Sequence, residues 1–291
     1  PAIWGGDQNT SFDRLDGLRG YGIQSDDDSG VLIGGTVEVN GDGGRALSAG
    51  NKTATTNDAN ITNVGRITVA ADDAYGLKVG DGWIDDFIGD HDGNPFTPVQ
   101  QILLPGTRNL ANGSDPGAID VTGDRSFGIF AGDESNPNGD HDSFVANTGA
   151  IDVTGTDSIA ISVGGNSRFD PFELGGVDLR PGLVTLNNDG MITGGADAGP
   201  LIEIRDFVAG HENRILNDEN GLISADVTNR GTPGRGIAIS GSAGEDLVVN
   251  LGSIEGDVDL DAGNDRYVHH EGASFVGRLE GGAGDDELTL G

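Results

Sequence analysis

The chain has 291 residues, with 48 acidic against 16 basic side chains and a formal net charge of −32 at pH 7. A charge of that size and sign argues against nucleic acid and anionic membrane surfaces as partners, because both repel it at long range. Cysteine is absent, aromatics make up 5% and glycine occurs 52 times, so neither disulfides nor a core of large side chains organises the fold. The apolar residues are mostly Val, Ile, Leu and Ala, which suit many short strands bounded by turns. No run approaches the 18 or so apolar residues needed to cross a bilayer, so no membrane insertion by this chain is expected. The chain starts at Pro1 with no leader-like segment, and its final "DDELTLG" breaks off while a repeat is still running; a processed or excised chain is expected.

In chain order, residues 1–33, with Trp4, Phe12 and Tyr21, read as an irregular N-terminal segment or cap. From Gly34 a loose unit recurs: Asn-x-Gly-x-Ile-x-Val, a small polar turn, then Gly-Ile/Leu-x-Val. It is clearest in "NVGRITVAADDAYGLKV" from Asn63, "DPGAIDVTGDRSFGIFAG" from Asp115 and "NTGAIDVTGTDSIAISVGGN" from Asn147. Weaker copies start at Gly34, Asn187, Asn220, Asn250 and His270. Each copy supplies two strand-sized pieces with alternating apolar residues, such as Ile151 and Val153, then Ile159, Ile161 and Val163; alternation turns those side chains to one face. One such coil cannot bury its face alone, whereas stacked coils close backbone hydrogen bonds and align the inward residues as ladders. The expected fold is all-β, a single-stranded right-handed parallel β-helix over residues 34–291, with roughly eight to eleven coils and about 40–50 Å of stack. Gly and Asn supply its tight corners.

Uneven spacing implies excursions from this frame. The largest spans 81–115, and smaller ones lie near 168–181 and 205–220. The first contains Trp83, Phe87 and Phe96, which could stack on a sugar or pack the loop against the solenoid. "GDHD" occurs twice, offering Asp90 and Asp92, then Asp140 and Asp142, as calcium ligands, since alternating acidic oxygens beside glycine can wrap the ion. These tips read equally well as solvated acidic loops. His91 and His141 have no second imidazole at ligand spacing, so no transition-metal site is expected.

At the C-terminal end, "GGAGDDELT" (Gly281 to Thr289) fits the nonapeptide GGxGxDxUx, and two degenerate copies precede it: "GSAGEDLVV" from Gly241 and "LDAGNDRYV" from Leu260. The segment 241–291 thereby resembles the calcium-binding repeats of RTX proteins. The resemblance implies Asp246, Asp265 and Asp286 as metal-binding residues and calcium as a structural cofactor. Those repeats run in tandem, whereas here the aspartates are 19 and 21 residues apart; one turn per coil would stack them in a single column. More broadly, the coils from Gly34 to Gly291 resemble the passenger region of Gram-negative autotransporters. That resemblance implies secretion to a bacterial cell surface and an adhesive or self-associating role, with a surface receptor or glycan as partner.

The expected function is therefore a structural or adhesive extracellular solenoid, able to self-associate into fibres, with no catalytic residues. The alternative is a polysaccharide lyase on the same fold, in which a base such as Arg125, Arg168 or Arg205 stands beside acids that hold calcium. No Gly-x-Ser-x-Gly elbow and no cysteine is available for nucleophilic catalysis.

Overall fold

The computed structural model describes residues 3–5, 21–25, 30–33, 36–49, 59–63, 65–79, 100–104, 117–131, 143–163, 184–205, 212–229 and 231–291. They form a parallel β-helix whose coils each contribute one strand to three sheets, of ten, eight and nine strands among the described residues. One coil shows the plan: Ser143–Asn147 lies on the first face, Ala150–Val153 on the second and Ile159–Val163 on the third. Each strand pairs in parallel with its counterparts one coil before and after. The exception is Ile3–Gly5, which runs antiparallel to Gly30–Ile33 on the first face.

The ladders follow from one inward residue repeated at the same place in every coil. On the second face Ile67, Ile119, Ile151, Ile192, Ile223 and Ile254 stand in register; all are fully buried. The third face adds Leu77, Ile129, Ile161, Ile202, Ile239 and Val258. The first adds Val145, Leu186, Ile215, Val248 and Tyr267. Each buried Ile, Leu or Val contributes roughly 1.5–3 kcal/mol, so a stack of small residues replaces the bulky core that the composition lacks.

Two corners explain much of the polar sequence. Between the second and third faces, successive coils place Gly43, Asp73, Arg125 and Asp157 at positive φ, from 53° to 69°. Their N–H groups donate to the carbonyls of Asp72, Asp124, Thr156 and Asp197 in the next coil. Between the first and second faces runs a column of buried asparagines. Asn147 Nδ2 donates to Asn188 Oδ1 at 2.8 Å, Asn188 Nδ2 to Asn217 Oδ1 at 2.8 Å, and Asn217 Nδ2 to Asn250 Oδ1 at 2.9 Å. The repeat's opening Gly sits just beyond: a Cβ at Gly149 would lie 2.1 Å from the Gly117 carbonyl oxygen, so close stacking at this corner excludes every other residue.

Several boundaries differ from those expected. A coil has three strands, not two, because pieces such as "SFVAN" and "ENRILN" that precede the recognisable repeat form the first face. Stacking begins before Gly34, with Tyr21–Ser25 paired to Arg45–Ala49 and Gly30–Ile33 to Ala59–Asn63. The stretch 81–115 is not one uninterrupted excursion, since Gln100–Leu104 is a first-face strand. Likewise Glu212–Asn217 lies inside the third supposed excursion.

Candidate functional site

Three turns that lead from the third face to the first hold Asp246, Asp265 and Asp286 above one another. Asp246 is enclosed by neutral donors: Oδ2 accepts from the Ser242 N–H at 2.7 Å, and Oδ1 from Asn213 Nδ2 at 2.9 Å. Asp265 Oδ1 accepts from the Asp246 N–H at 2.8 Å. Asp286 Oδ1 accepts from the Asp265 N–H at 3.1 Å. Asp265 and Asp286 thus cap the turn of the preceding coil, whereas Asp246 closes its own.

The leading glycine of the nonapeptide has a steric reason. A Cβ on Gly241 would meet Asp246 Oδ2 at 2.5 Å, and one on Gly281 would meet Asp286 Oδ2 at 2.3 Å; the carboxylate five residues on folds back over that position. The middle turn carries Leu260 there, so Asp265 cannot fold back in the same way. Asp261 N–H, the counterpart of Ser242 N–H, instead donates to Asp259 Oδ1. Asp265 is left with no solvent exposure, and its Oδ2 is buried without a hydrogen-bond partner. Burial first, then the charges of Asp246, Asp286 and Glu245, push its carboxyl up to about 7 against the pull of the Asp246 N–H bond.

An orphaned, buried carboxylate oxygen between two further carboxylates suits a cation with hard oxygen ligands. No group of three acidic or imidazole side chains among the described residues encloses one ion by itself. Main-chain carbonyls lie in the same turns: Gly244 O and Gly263 O point along the stack, each against a glycine of the next coil. Asp90, Asp92, Asp140 and Asp142, with His91 and His141, lie outside the described residues.

A second cluster, unforeseen in the sequence, lies on the outer side of the third face. Gly76 and Gly128 turn towards the interior, where a Cβ would touch Ile119 and Ile151. Their neighbours Tyr75, Phe127, Phe130 and Ile159 form a buried group separate from the main core. Tyr75 and Phe127 stack with centroids 5.2 Å apart, and Phe130 meets both edge-on. Fully buried Lys78 places Nζ 5.2 Å from the Tyr75 ring and 5.4 Å from Phe130. Arg205 also packs on Phe130, at 4.7 Å, with Glu203 3.5 Å from its Nε. Cation–π contact is strengthened by such desolvation. Sequence inspection singled out Arg205 for another reason and missed Lys78; the signal was that Lys78 and Phe130 occupy the same place in successive repeats.

Four further arginines are placed differently. Exposed Arg66, Arg125, Arg266 and Arg278 lie against Asp120, Asp73, Glu287 and Glu280 respectively, at 2.7 to 3.5 Å. Arg125, a candidate base, is therefore a bidentate partner of Asp73 at an exposed corner. Protein-family models, curated proteins and solved structures give no match to this chain. Among the described residues, no helix is long and apolar enough to cross a membrane.

Proposed function

We propose that this chain is an extracellular structural or adhesive solenoid of a bacterial surface. The observation that carries this reading is the combination of a regular three-faced stack with an acidic exterior, on which the exposed arginines Arg66, Arg125, Arg266 and Arg278 each lie against a carboxylate. Such a body holds a fixed shape without a large core and presents its corners and loops to a partner. The likeness of its coils to autotransporter passengers supports export to the surface. Self-association into fibres and contact with a receptor or glycan belong to the same reading. Antibodies raised against the purified chain should label intact host cells, and deletion of its gene should reduce adhesion or clumping. Labelling that requires permeabilised cells would overturn the reading.

A polysaccharide lyase is the second reading because Arg205, paired with Glu203, lies over an aromatic ring on the outer side of the third face. It predicts that polyuronates incubated with the protein and calcium yield unsaturated products, and that Arg205→Ala removes them. Absence of such products from a panel of acidic polysaccharides rejects it.

A further inference from the structure

We infer that Asn40 is a site of spontaneous deamidation, at which the corner leaving the second face acquires an aspartyl or isoaspartyl link, while the fold protects Asn220. Asn-Gly pairs stand at Asn40, Asn112, Asn138 and Asn220. In such a pair the glycine nitrogen attacks the asparagine Cγ. A new C–N bond forms, the carboxamide nitrogen leaves as ammonia and carries off the glycine N–H proton, and a five-membered succinimide remains. Water then opens the ring at either carbonyl, giving aspartate or isoaspartate. Glycine favours the attack because no Cβ shields its nitrogen. The reaction needs a glycine N–H that is not held elsewhere and a side chain free to turn onto it.

Stacking decides which pair meets that condition. Gly41 occupies the corner position taken by Ala71, Gly123 and Gly155 in the following coils. Those three donate their N–H groups to the carbonyls of Val39, Val69 and Val121 one coil earlier, at 3.1, 3.0 and 3.2 Å. Thr36–Val39 is the outermost strand of its sheet among the described residues, so Gly41 has no such carbonyl before it, and its N–H makes no hydrogen bond among them. Asn40 is exposed, and its carboxamide has one long contact, 3.4 Å to Glu38. A Cβ on Gly41 would meet nothing within 4 Å, which leaves room for the ring. At Asn220 each condition is reversed. Gly221 N–H donates to the Asp218 carbonyl at 2.8 Å, and the Asn220 carboxamide donates to Asp189 at 2.7 Å. A Cβ on Gly221 would lie 2.3 Å from both Asn188 O and Asn217 Oδ1. The bonds must break before the ring can close, and each slows closure by up to roughly tenfold. At Asn40 the product replaces an amide beside Glu38 by a carboxylate, and an edge strand flanked by like charges resists pairing with another chain.

The test incubates the folded full chain at mildly alkaline pH, with a parallel sample in urea, and follows each Asn-Gly pair by peptide mapping with isoaspartate detection. Asn112 and Asn138 lie outside the described residues and are read on separate peptides. Asn40 should convert at least about tenfold faster than Asn220 in the folded chain, and the two rates should converge in urea. Gly41→Ala should fold as the parent does, because Ala71 fills the same corner one coil on, and should slow conversion of Asn40 by about tenfold or more. Equal rates at Asn40 and Asn220 in the folded chain overturn the inference. So does an Asn40 that stays intact in the folded chain over a period that converts it in urea, or undiminished conversion in Gly41→Ala. All of these outcomes leave the surface reading untouched, because it does not depend on this corner.

Discussion

Replacing Asn188 by Ala interrupts the asparagine column at its centre. Asn188 is fully buried; its Oδ1 accepts from Asn147, and its Nδ2 donates to Asn217 at 2.8 Å and to the Leu222 carbonyl at 3.4 Å. The substitution strands Asn217 Oδ1 on one side and Asn147 Nδ2 on the other. Asn147 Nδ2 retains a long contact of 3.5 Å to the Met191 carbonyl, so its loss falls at the low end of the range for an unsatisfied buried group. With about 1–3 kcal/mol for each stranded group, the expected cost is about 2–4 kcal/mol. Asn220→Ala serves as the control: its bond to Asp189 is exposed, and the substitution should cost under about 0.5 kcal/mol. Urea unfolding followed by circular dichroism measures both. Hydrogen exchange should locate the weakening in the coils on either side of Asn188, because each coil of a solenoid contacts only its neighbours. A double-mutant cycle with Asn147→Ala should show a coupling of about 1 kcal/mol. If Asn188→Ala matches Asn220→Ala within error and the cycle shows no coupling, the column does not bear the stability assigned to it.

His269 stands directly beneath Asn250 in register, with Nδ1 buried and unpartnered; His269→Asn should extend the column by one bond and stabilise the protein by about 0.5–1 kcal/mol in urea titrations. Gly149→Ala places a Cβ 2.1 Å from the Gly117 carbonyl oxygen and should cost about 3 kcal/mol or more, or prevent soluble expression. In chelator, the Asp265 carboxyl sits near 7 when folded and in the ordinary carboxylate range when unfolded. The folded chain therefore binds that proton more tightly: this contribution is constant below about pH 4, declines as pH rises towards 7, and levels off above. The difference in melting temperature between the parent and Asp265→Asn, measured across that window, should follow this slope, and two parallel profiles would refute it.

The parts of the fold legible in sequence were those where one residue type must recur. Ile151 and Val153 announce the second face because burial on an alternating strand leaves no other choice, and Gly149 announces the corner because nothing larger fits. The first face was hidden. Its strands "SFVAN", "ENRILN" and "EDLVVN" share only one inward aliphatic and a closing Asn, too little to stand out between loops of variable length. Yet that Asn was the visible trace of the buried column, and its recurrence four residues or fewer before Gly149, Gly221 and Gly252 could have disclosed it. The aspartates were identifiable as a set, but their inequivalence was not. It depends on Leu260 and Asn213, whose effect emerges only once the turns are superimposed by stacking.

Equivalent positions lie 52 residues apart from Tyr75 to Phe127 and only 19 apart from Leu247 to Arg266, yet both pairs are in register. Alignment is re-established at every rung by the inward ladder, so an insertion or deletion between rungs does not propagate down the molecule. The body behaves like shelving: an item hung at one corner can be exchanged, or a whole shelf such as residues 247–265 removed, and the uprights meet again about 4.8 Å lower. Natural variation in such a protein should accordingly be concentrated in what is hung on the corners, with the total height adjustable in whole rungs.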